Sequence, residues 1–466
     1  MNLTELLNHA ASRWPQKSAF IEGDKAISYS ELAEQAADIA TKLADLKLPE
    51  GCRIGLRFPN SIAYVALTFA LWRLRAVVVP IPTECAEEEV STIAEAMQLE
   101  GILTPRSPGQ GAPIASECCF TRLRKGPPPD HLGLDLAFIR FTSGTTSARK
   151  GVALCHETVM ARVNAANRAF RVNAEDTVIW CLPMSHHFLI TIVLYLSRGA
   201  TVVLTKMLVA RAYLETVNRH RGTVLYAAPF HYGLLARDTS GQGLDSVRLA
   251  VSTTCALTRD VALAFAGRFG RPLSQALGII EVGLVSLNVV DTADRWDSVG
   301  RPLEDFRVRI LSPDESGCGE VAVRGPGMFD AYVAPWVPRE QALEDGWFRT
   351  GDIGRLDGDG RLFLAGRKTS VINLAGRKVF PEEIEAVLNR HPAVRDSRVY
   401  GRAHPHLGEV VEAEVVLGEP QPTPAALLGY CRANLASYEI PAQFHVVGAV
   451  RRTADTGKII RKPVAA

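Results

Sequence analysis

Apolar residues recur every three or four positions at Leu32, Ala36, Ile39 and Leu43, which predicts a helix, and the short run Arg53–Phe58 that follows predicts a strand. A second helical stretch, Ser61–Leu74, leads straight into the apolar run Ala76–Pro80. Strand, helix and strand in that order predict a mostly parallel sheet covered by helices. Gly126–Asp130, with its run of prolines, reads as a loop, and Leu134–Phe141 as a strand feeding the segment after it. Val178–Leu182 and Thr201–Leu204 continue the style as buried strands.

From about Asp291 the texture changes to short strands broken by Gly and Pro, as in Val299–Pro302 and Gly319–Gly327. This predicts a small β-rich subdomain over about 291–367. A boundary is expected near Arg367–Ser370, which divides the chain into residues 1–367 and 368–466. In the second unit Pro381 opens a helix with apolar face Ile384, Val387 and Leu388, and Thr423-Pro424 has the cap-then-proline order of another. Val410–Leu417 and Phe444–Val447 read as strands. The fold class is therefore α/β: a large N-terminal domain of parallel-type sheets flanked by helices, a small β-rich subdomain, and a small α+β C-terminal domain.

At 466 residues the chain has room for two or three domains. A formal net charge of +2 leaves no footprint for nucleic acid. The most apolar stretch, Phe188–Leu196, is shorter than the ~20 residues a spanning helix needs, so no membrane span is expected. Met1–Pro15 carries Glu5 and no basic segment before an apolar run, unlike a signal peptide. The nine cysteines show no zinc spacing, and Cys118 and Cys119 are adjacent. The expectation is a reduced, cytoplasmic protein without a structural metal.

The segment Phe141-Thr-Ser-Gly-Thr-Thr-Ser-Ala-Arg-Lys-Gly151 follows a predicted strand. Gly144 permits a tight turn, Thr142, Ser143, Thr145 and Thr146 offer hydroxyls beside backbone N–H groups, and Lys150 adds a point charge. Such a nest of donors suits a polyphosphate, although a polar surface turn has the same composition. It is not a Walker A loop, because Arg149 stands where Gly is required and Gly151 where Ser or Thr is.

This loop resembles the signature of the adenylate-forming superfamily, which includes acyl-CoA synthetases, adenylation domains of peptide synthetases and beetle luciferases. Further segments resemble its motifs in the same order along nearly the whole chain. They are Ile27–Leu32, Pro183–His186, Leu277–Glu281, Gly346–Asp352, Gly366-Arg367 with Asn373–Glu385, and Thr453–Ile459. The resemblance implies that a carboxylic acid attacks the α-phosphate of ATP with Mg²⁺ present, giving an acyl-adenylate and pyrophosphate, and that a thiol then takes the acyl group. The acceptor is CoA or a phosphopantetheine carrier protein.

By the same resemblance Thr142–Thr146, Lys150, Leu277, Gly278, Asp352 and Arg367 bind the nucleotide, Asp352 through the ribose hydroxyls. Glu281 carries Mg²⁺. Lys458 is the adenylation lysine, and the catalytic set is Lys458, Glu281 and His186. The C-terminal unit is implied to move between half-reactions, bringing Gly376 beside the pantetheine arm. By residue type alone, Asp352 suits a turn after Gly351, Glu281 a helix start, and Lys458 a solvated tail.

His186, His187, Phe188, Tyr226, Phe230, Thr253 and Thr254 are candidates to line the acyl pocket, though either histidine also suits a packed core. Leu182–Thr191 contains no acidic residue to pair with an α-ammonium, which argues against an amino acid. A short or medium acyl group or an aryl acid is expected. Ser147, Arg149, Leu277, Ile280 and Thr369 depart from the family pattern. A lost hydrogen bond and a lost aromatic contact, each about 1 kcal/mol, together weaken ATP binding by roughly ten- to a hundredfold. That is compatible with an enzyme and also leaves open a degenerate, non-catalytic nucleotide-binding homologue.

Overall fold

The computed structural model describes residues 3–106, 112–115, 118–124, 133–141, 150–206, 209–289, 295–374, 377–419, 421–452 and 459–460. These residues form four β-sheets with helices packed on and between them.

The first sheet has eight strands, running from edge to edge as Gly283–Asn288, Ser274–Ile279, Leu249–Ser252, Val224–Ala227, Thr177–Trp180, Thr201–Leu204, Ser18–Glu22 and Lys25–Ser28. Its inner strands are all parallel and only the edge strands are antiparallel. The second sheet has nine strands. Its centre, Leu136–Phe141, Val77–Pro80, Arg53–Leu56 and Gly101–Pro105, is parallel. This is the α/β architecture expected from the repeated strand–helix–strand pattern.

Local signals explain where the helices begin. The hydroxyl of Ser28 accepts from the N–H of Glu31 while the Glu31 carboxylate accepts from the N–H of Ser28, a capping box that opens the helix Tyr29–Ala44. Ser61 caps Ile62–Arg73 through the N–H of Tyr64. Ten of the twelve residues of that second helix are buried, which is the expected fate of a helix apolar on every side. It joins the core shared by the two large sheets, alongside Phe138, Trp180 and Tyr226.

A five-stranded antiparallel sheet follows, ordered Ser298–Gly300, Leu362–Arg367, Phe348–Leu356, Gly319–Arg324 and Arg307–Leu311. The stretch expected as one β-rich subdomain is not a single unit. Ala331–Val333 and Val337–Pro338 leave it and extend the nine-stranded sheet, with Ala331–Val333 antiparallel to Gly151–Cys155. Short strands broken by Gly and Pro look alike in sequence whichever sheet they join.

Beyond Arg367 a fourth sheet begins at Ile372. Val394–His404 and Gly408–Leu417 form its long hairpin, and Gln443–Val446 adds in parallel. The helices Pro381–Leu388 and Pro424–Asn434 start at the two expected prolines, the second capped by the Thr423 hydroxyl. These elements share a core of their own, including Ile384, Leu388, Val399, Val411 and Leu427. Among the described residues no helix is long and apolar enough to cross a membrane.

Candidate active site

The carboxyl ends of parallel strands, where side chains are freed from the sheet, are the usual place for a ligand crevice in such folds. Trp180 and Tyr226 stand at the ends of neighbouring strands in direct register, and their rings stack 5.8 Å apart at 11°. His187, at the end of the short helix Met184–His187, sets its ring edgewise to both, at 6.2 and 6.1 Å. Thr253, just past Leu249–Ser252, holds its hydroxyl 3.4 Å from that of Tyr226. Thr254 follows in the left-handed region at φ 76°, a strained conformation for a β-branched residue. His186 is half-buried on the same short helix.

Two expected wall residues lie elsewhere. Phe188 is buried in the core against Tyr64 and Trp72, at ring distances of 5.5 and 6.1 Å, because it shares the inward helical face with Met184 and Ile192. Phe230 is in the first turn of Pro229–Ala236 and 69% exposed, its ring against His231.

Glu281 does not start a helix. It lies in the tight turn joining the antiparallel strands Ser274–Ile279 and Gly283–Asn288. Leu277 and Gly278 precede it at a break in strand register, with Leu277 half-buried against the main core. The turn is fastened from below by Arg162, which projects from the helix His156–Phe170 and is 3% exposed. Its Nη1 donates to the Ile280 carbonyl at 2.9 Å, Nη2 to the Glu281 carbonyl at 2.7 Å, and Nε to the Gly327 carbonyl at 2.5 Å. Burial lowers the Arg162 pKa, and the nearby carboxylates of Asp330 and Glu281 act in the opposite direction. Gly283 and Gly327 both have positive φ, and a Cβ on either would meet the Arg162 stem, at 3.1 and 2.6 Å.

The N–H of Phe329 adds a fourth tie, donating to the Glu281 carbonyl at 2.7 Å. The Glu281 carboxyl is itself nearly buried, and desolvation raises its pKa. One oxygen, Oε1, accepts from the Tyr332 hydroxyl at 3.0 Å, and the charges of Arg162 and Arg367 offset part of the burial penalty. A shielded carboxylate whose hydrogen-bond partner is a neutral phenol fits a hard divalent cation.

Tyr332 reaches this point because the start of the helix His156–Phe170 lacks a side-chain cap of its own. Asp330 supplies one from a distant segment, accepting from the N–H of Cys155 at 2.7 Å and the hydroxyl of Thr158 at 2.9 Å. The next residues pair as a strand with Gly151–Cys155, which brings Tyr332 beside Lys150, whose Nζ is 5.1 Å from the centre of the ring.

Asp352 and Arg367 are register partners on the neighbouring strands Phe348–Leu356 and Leu362–Arg367. Arg367 Nε is 2.7 Å from an Asp352 carboxylate oxygen, and its Nη1 donates to the Thr350 carbonyl at 3.0 Å. The carboxylate is buried while the guanidinium is half-exposed, so an acceptor pair is held rigidly at the edge of solvent. Among the sequence candidates, Thr142, Ser143, Gly144, Thr145, Thr146, Gly376 and Lys458 lie outside the described residues. Tyr332, Arg162 and Trp180 were not among the candidates.

The model of the AMP-binding enzyme family matches residues 7–333, and that of the AMP-binding enzyme C-terminal domain matches residues 383–458. This chain belongs to the AMP-binding enzyme family. Sulfoacetate–CoA ligase of Cupriavidus necator is 28% identical over 98% of this chain and 96% of its own length. A long-chain-fatty-acid–CoA ligase of Yersinia pestis is 26% identical over 99% and 93%. Among solved structures, O-succinylbenzoate Coenzyme A synthetase from Bacillus subtilis, in complex with ATP and magnesium ion, aligns with a TM-score of 0.86 at 25% identity over 98% of both chains.

For this AMP-binding enzyme, Asp352→Ala is expected to weaken ATP binding by about 10- to 100-fold, since hydrogen bonds to an ionised group are worth roughly 1.5–3 kcal/mol. Calorimetric titration with ATP measures this, and wild-type affinity would remove Asp352 from the nucleotide site.

Proposed function

We propose that the protein is an AMP-forming acid–thiol ligase. It condenses a carboxylic acid with ATP to give an acyl-adenylate and pyrophosphate, then transfers the acyl group to the thiol of CoA and releases AMP. The observation that carries the reading is the Asp352–Arg367 pair, a buried carboxylate 2.7 Å from a half-exposed guanidinium, in a chain that matches the AMP-binding enzyme family over residues 7–333. The pair suits the ribose hydroxyls, and the nearly buried carboxyl of Glu281 suits a cation.

The division of labour follows from residue chemistry. Asp352 accepts from the ribose hydroxyls, and Arg367 orients that carboxylate. Leu277 and Gly278 lie along the base. Thr142, Ser143, Gly144, Thr145, Thr146 and Lys150 surround the phosphates. Glu281 is the residue that would hold Mg²⁺, which when bound neutralises phosphate charge, and His186 completes the catalytic set. Lys458 arrives from the C-terminal unit, residues 368–466, to stabilise charge where the carboxylate meets the α-phosphate. Rotation of that unit then brings Gly376 to the thiol.

The relatives act on acids as different as sulfoacetate and long-chain fatty acids, so their names do not choose the substrate. The wall of Trp180, His187, Tyr226 and Thr253 favours a small or aryl acid, because aromatic faces and one hydroxyl pair close the end of the strand crevice. Thr254 continues that wall.

The test is pyrophosphate release with sulfoacetate, benzoate, hexanoate and palmitate, repeated with CoA and with a phosphopantetheine carrier protein. Benzoate or a small acid with CoA should give the greatest release. Absence of release with every acid would sink the enzyme reading in favour of a non-catalytic nucleotide binder. Preference for palmitate would overturn the pocket argument, and preference for the carrier protein would overturn CoA as acceptor.

A further inference from the structure

The side chain of Tyr332 touches both Lys150 and Glu281. Its hydroxyl donates to Oε1 of Glu281 at 3.0 Å while its ring faces the Lys150 ammonium at 5.1 Å. The ring is supported by Phe329, 4.6 Å away, whose own N–H donates to the Glu281 carbonyl. The strand carrying Tyr332 is pinned by Asp330 to the start of the helix that also supplies Arg162. Tyr332 is therefore held between the Glu281 turn and the strand that begins at Gly151.

Building on the Mg·ATP reading above, we infer that Tyr332 is a positioning residue that aligns Glu281 for the cation and Lys150 for the phosphates. The phenol is a donor to Glu281, so it fixes Oε1 and with it the orientation of the carboxylate. Its ring stabilises an ammonium without neutralising it, because the attraction comes from the quadrupole of the ring and leaves the full positive charge for a phosphate. A carboxylate in the place of Tyr332 would pair with Lys150 and repel Glu281. A phenylalanine would hold Lys150 and release Glu281. Tyrosine is the side chain that serves both neighbours at once.

Two variants separate the two roles. Tyr332→Phe keeps the ring and loses the hydroxyl. The gain in ATP affinity on adding Mg²⁺ should shrink about 10- to 100-fold, the value of one hydrogen bond to a charged acceptor, while affinity for ATP without Mg²⁺ is unchanged. Tyr332→Leu loses the ring as well, and affinity for ATP without Mg²⁺ should then also fall, by about two- to fivefold. Calorimetric titration of wild type and both variants with ATP, with and without Mg²⁺, gives the comparison without relying on turnover.

A Tyr332→Phe protein with the wild-type response to Mg²⁺ would overturn the inference and leave the function reading standing. An equal loss with and without Mg²⁺ would also overturn it, because that is the signature of a residue that only supports the fold. A wild-type protein that fails to bind ATP under either condition would sink both readings together.

Discussion

Replacing Arg162 by alanine is expected to destabilise the N-terminal domain by about 3–5 kcal/mol, the range seen when one partner of a buried charged network is removed. Three backbone carbonyls, those of Ile280, Glu281 and Gly327, accept from this one guanidinium, and that of Glu281 accepts from the N–H of Phe329 as well. Each buried acceptor left without a donor costs about 1–3 kcal/mol, and water entering the vacated space recovers only part of that. Function should fall alongside stability, because the turn carrying Glu281 loses the clamp that sets its height above the helix. Arg162→Lys should be intermediate: it keeps the charge, but a single ammonium lacks the planar fork that reaches three acceptors. Gly327→Ala approaches the same clamp from the other side, since its Cβ would sit 2.6 Å from the Arg162 side chain at a φ of +68°. Thermal denaturation read by circular dichroism, with Mg·ATP titration of the folded fraction, checks both effects. An alanine variant with wild-type midpoint and wild-type affinity would show that the turn holds itself.

The residues legible in the sequence are those whose role is local. Ser28 with Glu31, Ser61, Pro381 and Thr423 mark helix starts because a cap acts within one turn of itself. Asp352 and Arg367 could be picked out from their motifs, and strand register brings them together. Arg162 left a trace that was open to reading: it falls on the apolar stripe of its helix, three residues after Val159 and four before Ala166, where an arginine needs buried acceptors. Tyr332 left none. Its place depends on Asp330 reaching the start of a helix more than 170 residues earlier in the chain and on a long-range strand pairing within the nine-stranded sheet. The same non-local pairing explains why the β-rich stretch could not be divided by texture alone. Phe188 shows the opposite failure, since an aromatic beside two histidines looks like a pocket wall until the helical face it occupies is known.

Lys458→Ala is expected to lower the rate of acyl-adenylate formation by about a hundred- to a thousandfold, the loss typical of removing one donor aimed at developing charge. Acyl transfer from supplied acyl-adenylate should be largely spared. Lys458 itself lies outside the described residues, but the chain on either side of its segment is fastened. Arg452 and Ile459 face each other in an antiparallel bridge, and the N–H of Ile460 donates to the Arg451 carbonyl at 3.0 Å. Arg452 in turn holds Asp396 by two contacts of 2.8 and 2.9 Å, which ties the base of the segment to the hairpin Val394–His404. With the residues on either side of its segment fastened in this way, Lys458 is expected to move with the C-terminal unit, so that its contribution would be made in one half-reaction and withdrawn in the next. The charge would matter most when the substrate carboxylate and the α-phosphate, both anionic, are brought together, and less in the acyl-adenylate, where the carboxylate charge is gone and the phosphate keeps a single negative charge. Pyrophosphate release and thioester formation, measured separately on the same variant, decide the matter. Equal losses in both would place Lys458 in the shared nucleotide site, and unchanged adenylation would remove it from the chemistry.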